Sequence, residues 1–287
     1  MLVLCVFFAF LGAASNATGT VLQRKAALAV PAEDAMRARL LVDMIHQPVW
    51  LLGICGVAGA ALFQALALVT GPLALAQPVF ILELPLALLI SLPVLGRRLP
   101  GSGWLAVAVM VAGLVLGLAC AAPSGGGAQA SLARWIPAFA VCAGVVFFVV
   151  GAARHRPSGA ARAALLAVGA AVSNALTAAL MKSAADTFSS RGFGAFLTAW
   201  QTYGFAVLGV FAVFLLENSL QAGPIAASQP ALTLGDAAVS LALGITVYSE
   251  HVRTGWWLLP ELAALGLIVA GTVHLSRAVP LTRELAD

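Results

Sequence analysis

Two carboxylates stand in the middle of apolar segments. Glu83 lies near the centre of residues 72–95, and Asp236 near the centre of residues 224–248. A charged side chain at the centre of a bilayer costs roughly 2.5–3.5 kcal/mol on insertion scales. A bound proton, a bound cation or a hydrogen-bonding partner on another helix offsets that cost. Two such acids therefore suit a site for a cation, a proton-coupled solute or an amine. The competing reading is that each acid is a hydrogen-bonded group that holds helices together.

Four amides accompany the acids. Gln77 and Gln229 each precede a proline, and each lies near a backbone carbonyl that the missing proline N–H leaves free. Asp236 follows Gln229 by seven residues, almost on the same helix face. Asn16, Thr20 and Gln23 form a polar stripe at i, i+4, i+7, and Asn174 and Thr177 repeat part of it. The expected substrate- or ion-binding set is Asn16, Gln77, Glu83, Asn174, Gln229 and Asp236. Glu83 and Asp236 are the candidate metal ligands. Magnesium keeps several waters and needs only one or two carboxylates, so it is compatible. No cofactor is expected beyond a coupling proton or cation. No Ser/His/Asp constellation, zinc motif or pair of catalytic aspartates at usual spacing is present, which argues against an enzyme.

The elements that must position these groups are membrane spans. The chain of 287 residues is 62% hydrophobic and 9% charged, with mean hydropathy +1.02. A soluble domain carries about 25% charged residues. A span needs about 20 apolar residues. Nine segments qualify: 2–24, 48–70, 72–95, 103–121, 133–153, 161–183, 196–217, 224–248 and 255–277. The first resembles a secretory signal but lacks a basic start, so it is expected to remain as a span. Asn16-Ala17-Thr18 fits a glycosylation sequon, yet it falls inside that span. The connector near 25–47 reads equally as an amphipathic surface helix or a solvated loop. Glu217, Asn218, Glu261 and His274 fall near span ends. Lys182 and Arg24 are expected to snorkel toward water. Cys5, Cys55, Cys120 and Cys142 lack metal-ligand spacing and read as small buried hydrophobes.

Charge sets the orientation. Alternate connectors collect Arg24, Lys25, Arg37, Arg39, Arg97, Arg98, Arg154, Arg156, Arg162, Arg277 and Arg283 on one side. The other side has Arg134, Lys182, Arg191 and Arg253. By the positive-inside rule the N-terminus lies outside and the C-terminus in the cytoplasm, across the plasma (inner) membrane. The net charge of +4 reports topology and gives no reason to expect a nucleic-acid partner.

A phrase occurs twice. Residues 71–78 read Gly-Pro-Leu-Ala-Leu-Ala-Gln-Pro and residues 223–230 read Gly-Pro-Ile-Ala-Ala-Ser-Gln-Pro. The same offset carries Gly103-Trp104 onto Gly255-Trp256 and Leu84 onto Asp236, one position from Glu83. A second match sets Ser15-Asn16-Ala17 on Ser173-Asn174-Ala175. Residues 1–121 and 161–277 then form two four-helix units, joined by a linking span at 133–153 and followed by a tail at 278–287. Five spans precede the second unit, so it enters the membrane from the opposite face. The expected fold is all-α, with nine spans in two inverted repeats.

The chain resembles the drug/metabolite transporter (DMT) superfamily, related to EamA, and within it the NIPA-like branch. The likeness rests on Thr20-Val21-Leu22-Gln23-Arg24-Lys25 ending the first span, Trp50-Leu51-Leu52-Gly53 opening the second, and the Gly-Pro-Leu-Ala-Leu-Ala-Gln-Pro phrase. The resemblance implies an inverted duplication, nine spans and, for that branch, magnesium transport. The expected activity is secondary transport of a small polar or cationic solute by alternating access. The alternatives are an exporter or flippase of an amphipathic or lipid-linked substrate in the same fold, and a non-transporting membrane partner.

Overall fold

The computed structural model describes residues 1–28, 47–95, 101–223, 225–253 and 255–278. The connector helix considered near 25–47, and Arg97, Arg98 and Arg283, lie largely or wholly outside them. The protein is an all-α, multi-pass membrane protein. Lipid offers the backbone no hydrogen bonds, so these apolar runs satisfy their own N–H and C=O groups as helices. They are α1 (Leu2–Leu28), α2 (Pro48–Thr70), α3 (Leu73–Val79), α4 (Glu83–Leu95), α5 (Gly101–Ala121), α6 (Leu132–Arg154), α7 (Ala160–Thr198), α8 (Trp200–Ala222), α9 (Ile225–Thr246) and α10 (Leu258–Ala278). Two-residue strands β1 (Ser124–Gly125) and β2 (Glu250–His251) pair antiparallel. Among the described residues, eight segments are long and apolar enough to cross a membrane, with α3 and α4 counted as one. The 22-residue α9, which carries Gln229, Pro230 and Asp236, is not one of the eight.

The third segment is broken, as its prolines predict. A 3-10 turn, Phe80–Leu82, separates α3 from α4 and leaves Glu83 opening the second piece. Pro85 cannot donate to the carbonyl four residues back, which lies in that turn. The matching segment differs: α9 runs unbroken through Pro230. The expected connector at 184–195 is also absent. The sixth segment continues as a 39-residue helix with its bend at Gly192, whose φ is 82°. Residues 184–191 hold no glycine or proline, so nothing stops the helix before Gly192.

The widest helix contacts are α1 on α2, α7 on α8, α5 on α10 and α9 on α7; α6 also lies on α7. Glycine sets the closest of them. A Cβ at Gly19 would stand 2.8 Å from the Gly53 carbonyl oxygen, and one at Gly113 would stand 2.8 Å from that of Ala264. The Ser15 hydroxyl donates across the first crossing to Gly56 O at 2.7 Å. Small residues let apolar helices approach in lipid, where packing must replace the hydrophobic drive. Cys5, Cys120 and Cys142 are buried, whereas Cys55 is exposed on α2, against expectation. It lies on the same helix as Leu52 and Leu62, which are also exposed.

The ends of the bundle are distinct. At one end, Gly127 donates to Tyr248 O at 2.8 Å and Arg253 to Ala121 O at 3.0 Å. Lys182 donates there to Gly71 O, in the first copy of the repeated phrase, at 3.1 Å. The second copy begins at Gly223, which packs on Gly159 at the start of α7. Twenty-three residues of α7 separate Gly159 from Lys182, about 34 Å of helix. The two copies therefore lie far apart along α7, one at its start and one at Lys182.

Candidate functional site

Each of the two acids lies beside the asparagine of its own part of the chain. The Asn174 amide donates to the Asp236 carboxylate at 3.2 Å, joining α7 to α9. Glu83 lies near Asn16, where α1 packs on α4. All four side chains keep some exposure. Asn174 is exposed although Ala170, Ala171, Ala175 and Ala178 around it on α7 are buried, so its amide looks into an opening in the packing. Ser173 and Thr177 return their hydroxyls to carbonyls one turn back and leave the amide as the outward polar group. Among the described residues no ion pair involves Glu83 or Asp236, and no hydrogen bond joins one Asn–acid pair to the other.

The two glutamines stand apart from these pairs. Gln77 is 2% exposed on α3, and its Nε2 has no hydrogen-bond partner. Gln229 is half-buried near the start of α9. The Ser240 hydroxyl on α9 is buried and also lacks a partner. Ser240 lies one helical turn beyond Asp236, on the same face. A cluster of three or more metal-ligating side chains does not occur among the described residues. Glu83 and Asp236 would therefore hold a divalent ion only with amides, carbonyls and water completing its shell.

Sequence reasoning missed a second polar centre. Lys182, expected to snorkel, is 3% exposed. Its ammonium contacts Glu250 Oε1 at 2.7 Å and lies 4.9 Å from the Tyr248 ring centroid. Glu250 accepts the Leu73 N–H at 2.6 Å and the Ala74 N–H at 2.9 Å, capping α3 from a distant connector. Such charge-assisted bonds to first-turn N–H groups complement the helix dipole. A Cβ at Gly244 or at Gly126 would collide with the Glu250 side chain. Gly126 also holds φ 86°, in the region that favours glycine.

Tyr248 braces the centre. Its hydroxyl bonds Ala179 O and pairs with the Ser183 hydroxyl at 2.8 Å. Trp135 meets its ring edge-on at 6.0 Å between centroids, and burial pushes the Tyr248 phenol up, which keeps it a neutral partner. Gln129 donates to Ser183 O at 2.8 Å and to the Asp186 carboxylate at 3.0 Å. The available signal was Lys182 itself, a lysine followed by Ser-Ala-Ala and preceded by Ala-Ala-Leu-Met.

A separate cleft of about 700 Å³ opens between α1, α3 and α5. Its lining is apolar and includes Val3, Phe7, Phe10, Leu75, Leu82 and Leu118.

Comparison with known proteins gives one relative. The chain is 28% identical over 278 residues to an uncharacterized protein of Corynebacterium glutamicum, covering 96% of this chain and 95% of the relative. No protein-family model matches. No solved structure matches either.

Proposed function

We propose that this protein is a secondary transporter of the drug/metabolite type. It moves a small polar or cationic solute by alternating access at a midplane site between two inverted four-helix repeats. The observation that carries this reading is the twice-built pair of an asparagine and an acid, Asn16 with Glu83 and Asn174 with Asp236. Matched packing supports the repeats: α1 lies on α2 and on α4, while α7 lies on α8 and on α9. The α5–α10 contact then joins the fourth helix of each unit. The wide separation of the phrase copies along α7 supports the inversion.

The pairs carry acids and amides, and the buried lysine is already engaged by Glu250. A site of that sign takes a cation: a divalent ion such as magnesium, a protonated amine, or a proton coupled to a metabolite. The test is thermal stabilisation of the purified protein by divalent cations, amines and amino acids, followed by uptake into proteoliposomes. Glu83→Gln and Asp236→Asn should each abolish stabilisation and uptake while leaving the unliganded melting curve intact. Full uptake by the double variant would discard the site.

The apolar cleft favours a second reading, an exporter or flippase of an amphipathic substrate. It predicts stabilisation by long-chain amphiphiles that Phe7→Ala and Leu118→Ala abolish, with no effect of Asp236→Asn.

A further inference from the structure

Lys182 and Glu250 come from residues 161–277, whereas the groups they hold come from residues 1–121. Lys182 on α7 binds Gly71 O, and Glu250 binds the first two N–H groups of α3. The pair thus clamps the leading end of α3 to the other unit. Strand β2 and the Gly127–Tyr248 bond tie the 122–131 connector over the same place. The opposite end is built differently among its described residues. Gly159 donates to Ala222 O at 2.7 Å and the Ser219 hydroxyl to Ala163 O at 2.7 Å, and none of these groups comes from residues 1–121.

Polar groups continue beneath the clamp. At the clamped end α3 begins and α9 finishes, so the two helices run antiparallel. They pack with Gly244 facing Ala74, where a Cβ on Gly244 would stand 3.4 Å from the Ala74 Cβ. One turn deeper, that register sets Gln77 level with Ser240. Both are buried, and each carries a polar atom with no partner. Unpaired buried polar groups are costly in a packed interface, and two at one level mark a surface adapted to a polar occupant. A further turn along α9 brings Asp236, with Asn174 against it.

We infer that Lys182 and Glu250 form a gate, which closes one mouth of a polar route running between α3 and α9 past Gln77 and Ser240 to Asp236. Release of the pair frees the α3 end and opens that mouth. The identity of what passes rests on the proposed transport activity; the closure itself does not.

Cys5 is a native reporter of the closure. It has no exposed surface, and it packs directly on Gly71. The intact chain in detergent is treated with a charged maleimide, and peptide mass spectrometry follows each thiol with time. In the wild type Cys5 and Cys142 should both react slowly. Glu250→Gln and Lys182→Met should each raise the Cys5 rate at least tenfold and leave Cys142, on α6, protected. Unchanged Cys5 rates in both variants overturn the gate. Equal gains at Cys5 and Cys142 in both variants also overturn it, because the pair is then a packing element of the whole fold. A solute that binds through Glu83 and Asp236 without any gain at Cys5 sinks the gate alone. A gain at Cys5 with no solute bound sinks the transport reading alone.

Discussion

Asn174 and Asp236 differ from ordinary interhelical glue in having a counterpart, Asn16 with Glu83, on the corresponding helices. A double-mutant cycle on Asn174→Leu and Asp236→Leu should give a coupling of about 1 kcal/mol. The cycle on Asn16→Leu and Glu83→Leu should match it, and the crossed cycle on Asn16 and Asp236 should be additive. Thermal melts in detergent measure all three. The Lys182–Glu250 pair obeys a different rule, because both groups are fully desolvated. Lys182→Met leaves a buried carboxylate without its cation and should cost about 3 kcal/mol, and adding Glu250→Gln should restore part of the loss. The Asn–acid residues stood out in the sequence because polar types are rare in spans and the asparagines recur in the repeat, with the acids one position out of register. The clamp was not legible. Glu250 sits in a short connector, where an acid looks solvated, and its partners lie far away in the chain. Burial at a helix end is a tertiary fact that local composition does not carry.

At the level of elements, proline and glycine had uneven predictive value. The four prolines of residues 72–95 announced a break, and the 3-10 turn at Phe80–Leu82 supplies it. Pro230 announced one that did not occur, since its place six residues into α9 disturbs only the opening turns. The end of α7 was misjudged because charge and serine at Asp186, Ser189 and Ser190 look like a loop. Ser189 and Ser190 instead bond back to the Asp186 carbonyl and stay helical. Glycines divide by what surrounds them. Gly19→Ala drives a methyl into the Gly53 carbonyl and should cost roughly 1–3 kcal/mol. Gly144→Ala and Gly266→Ala meet open space and should leave the melting temperature within a degree or two. Equal losses at all three would remove close approach as the cause.

For the molecule as a whole, the helix count fixes where the ends emerge. Counting α9 among the spans sends the termini to opposite faces, and leaving it out returns them to the same face. Fusion of a reporter active only in the cytoplasm should give signal at the C-terminus and none at the N-terminus. Signal at both ends would remove α9 from the spans and overturn the proposed inverted arrangement. The long α7 adds a different constraint. Its 39 residues make about 58 Å of helix, against a hydrocarbon core of about 30 Å. The surplus carries Phe188, Phe193 and Phe196 around the bend at Gly192; Phe193 stacks on Phe196, and Phe188 meets both edge-on. Exposed Trp256 and Trp257 stand at the start of the last helical stretch, at the same end. Tryptophan settles at the lipid headgroups, so these two indoles act as a float line for the whole bundle. A thicker or thinner bilayer would shift that line against the rest of α7 and load the Gly192 bend. Lipid chain length therefore becomes a mechanical input to the same helix that holds Asn174 and Lys182.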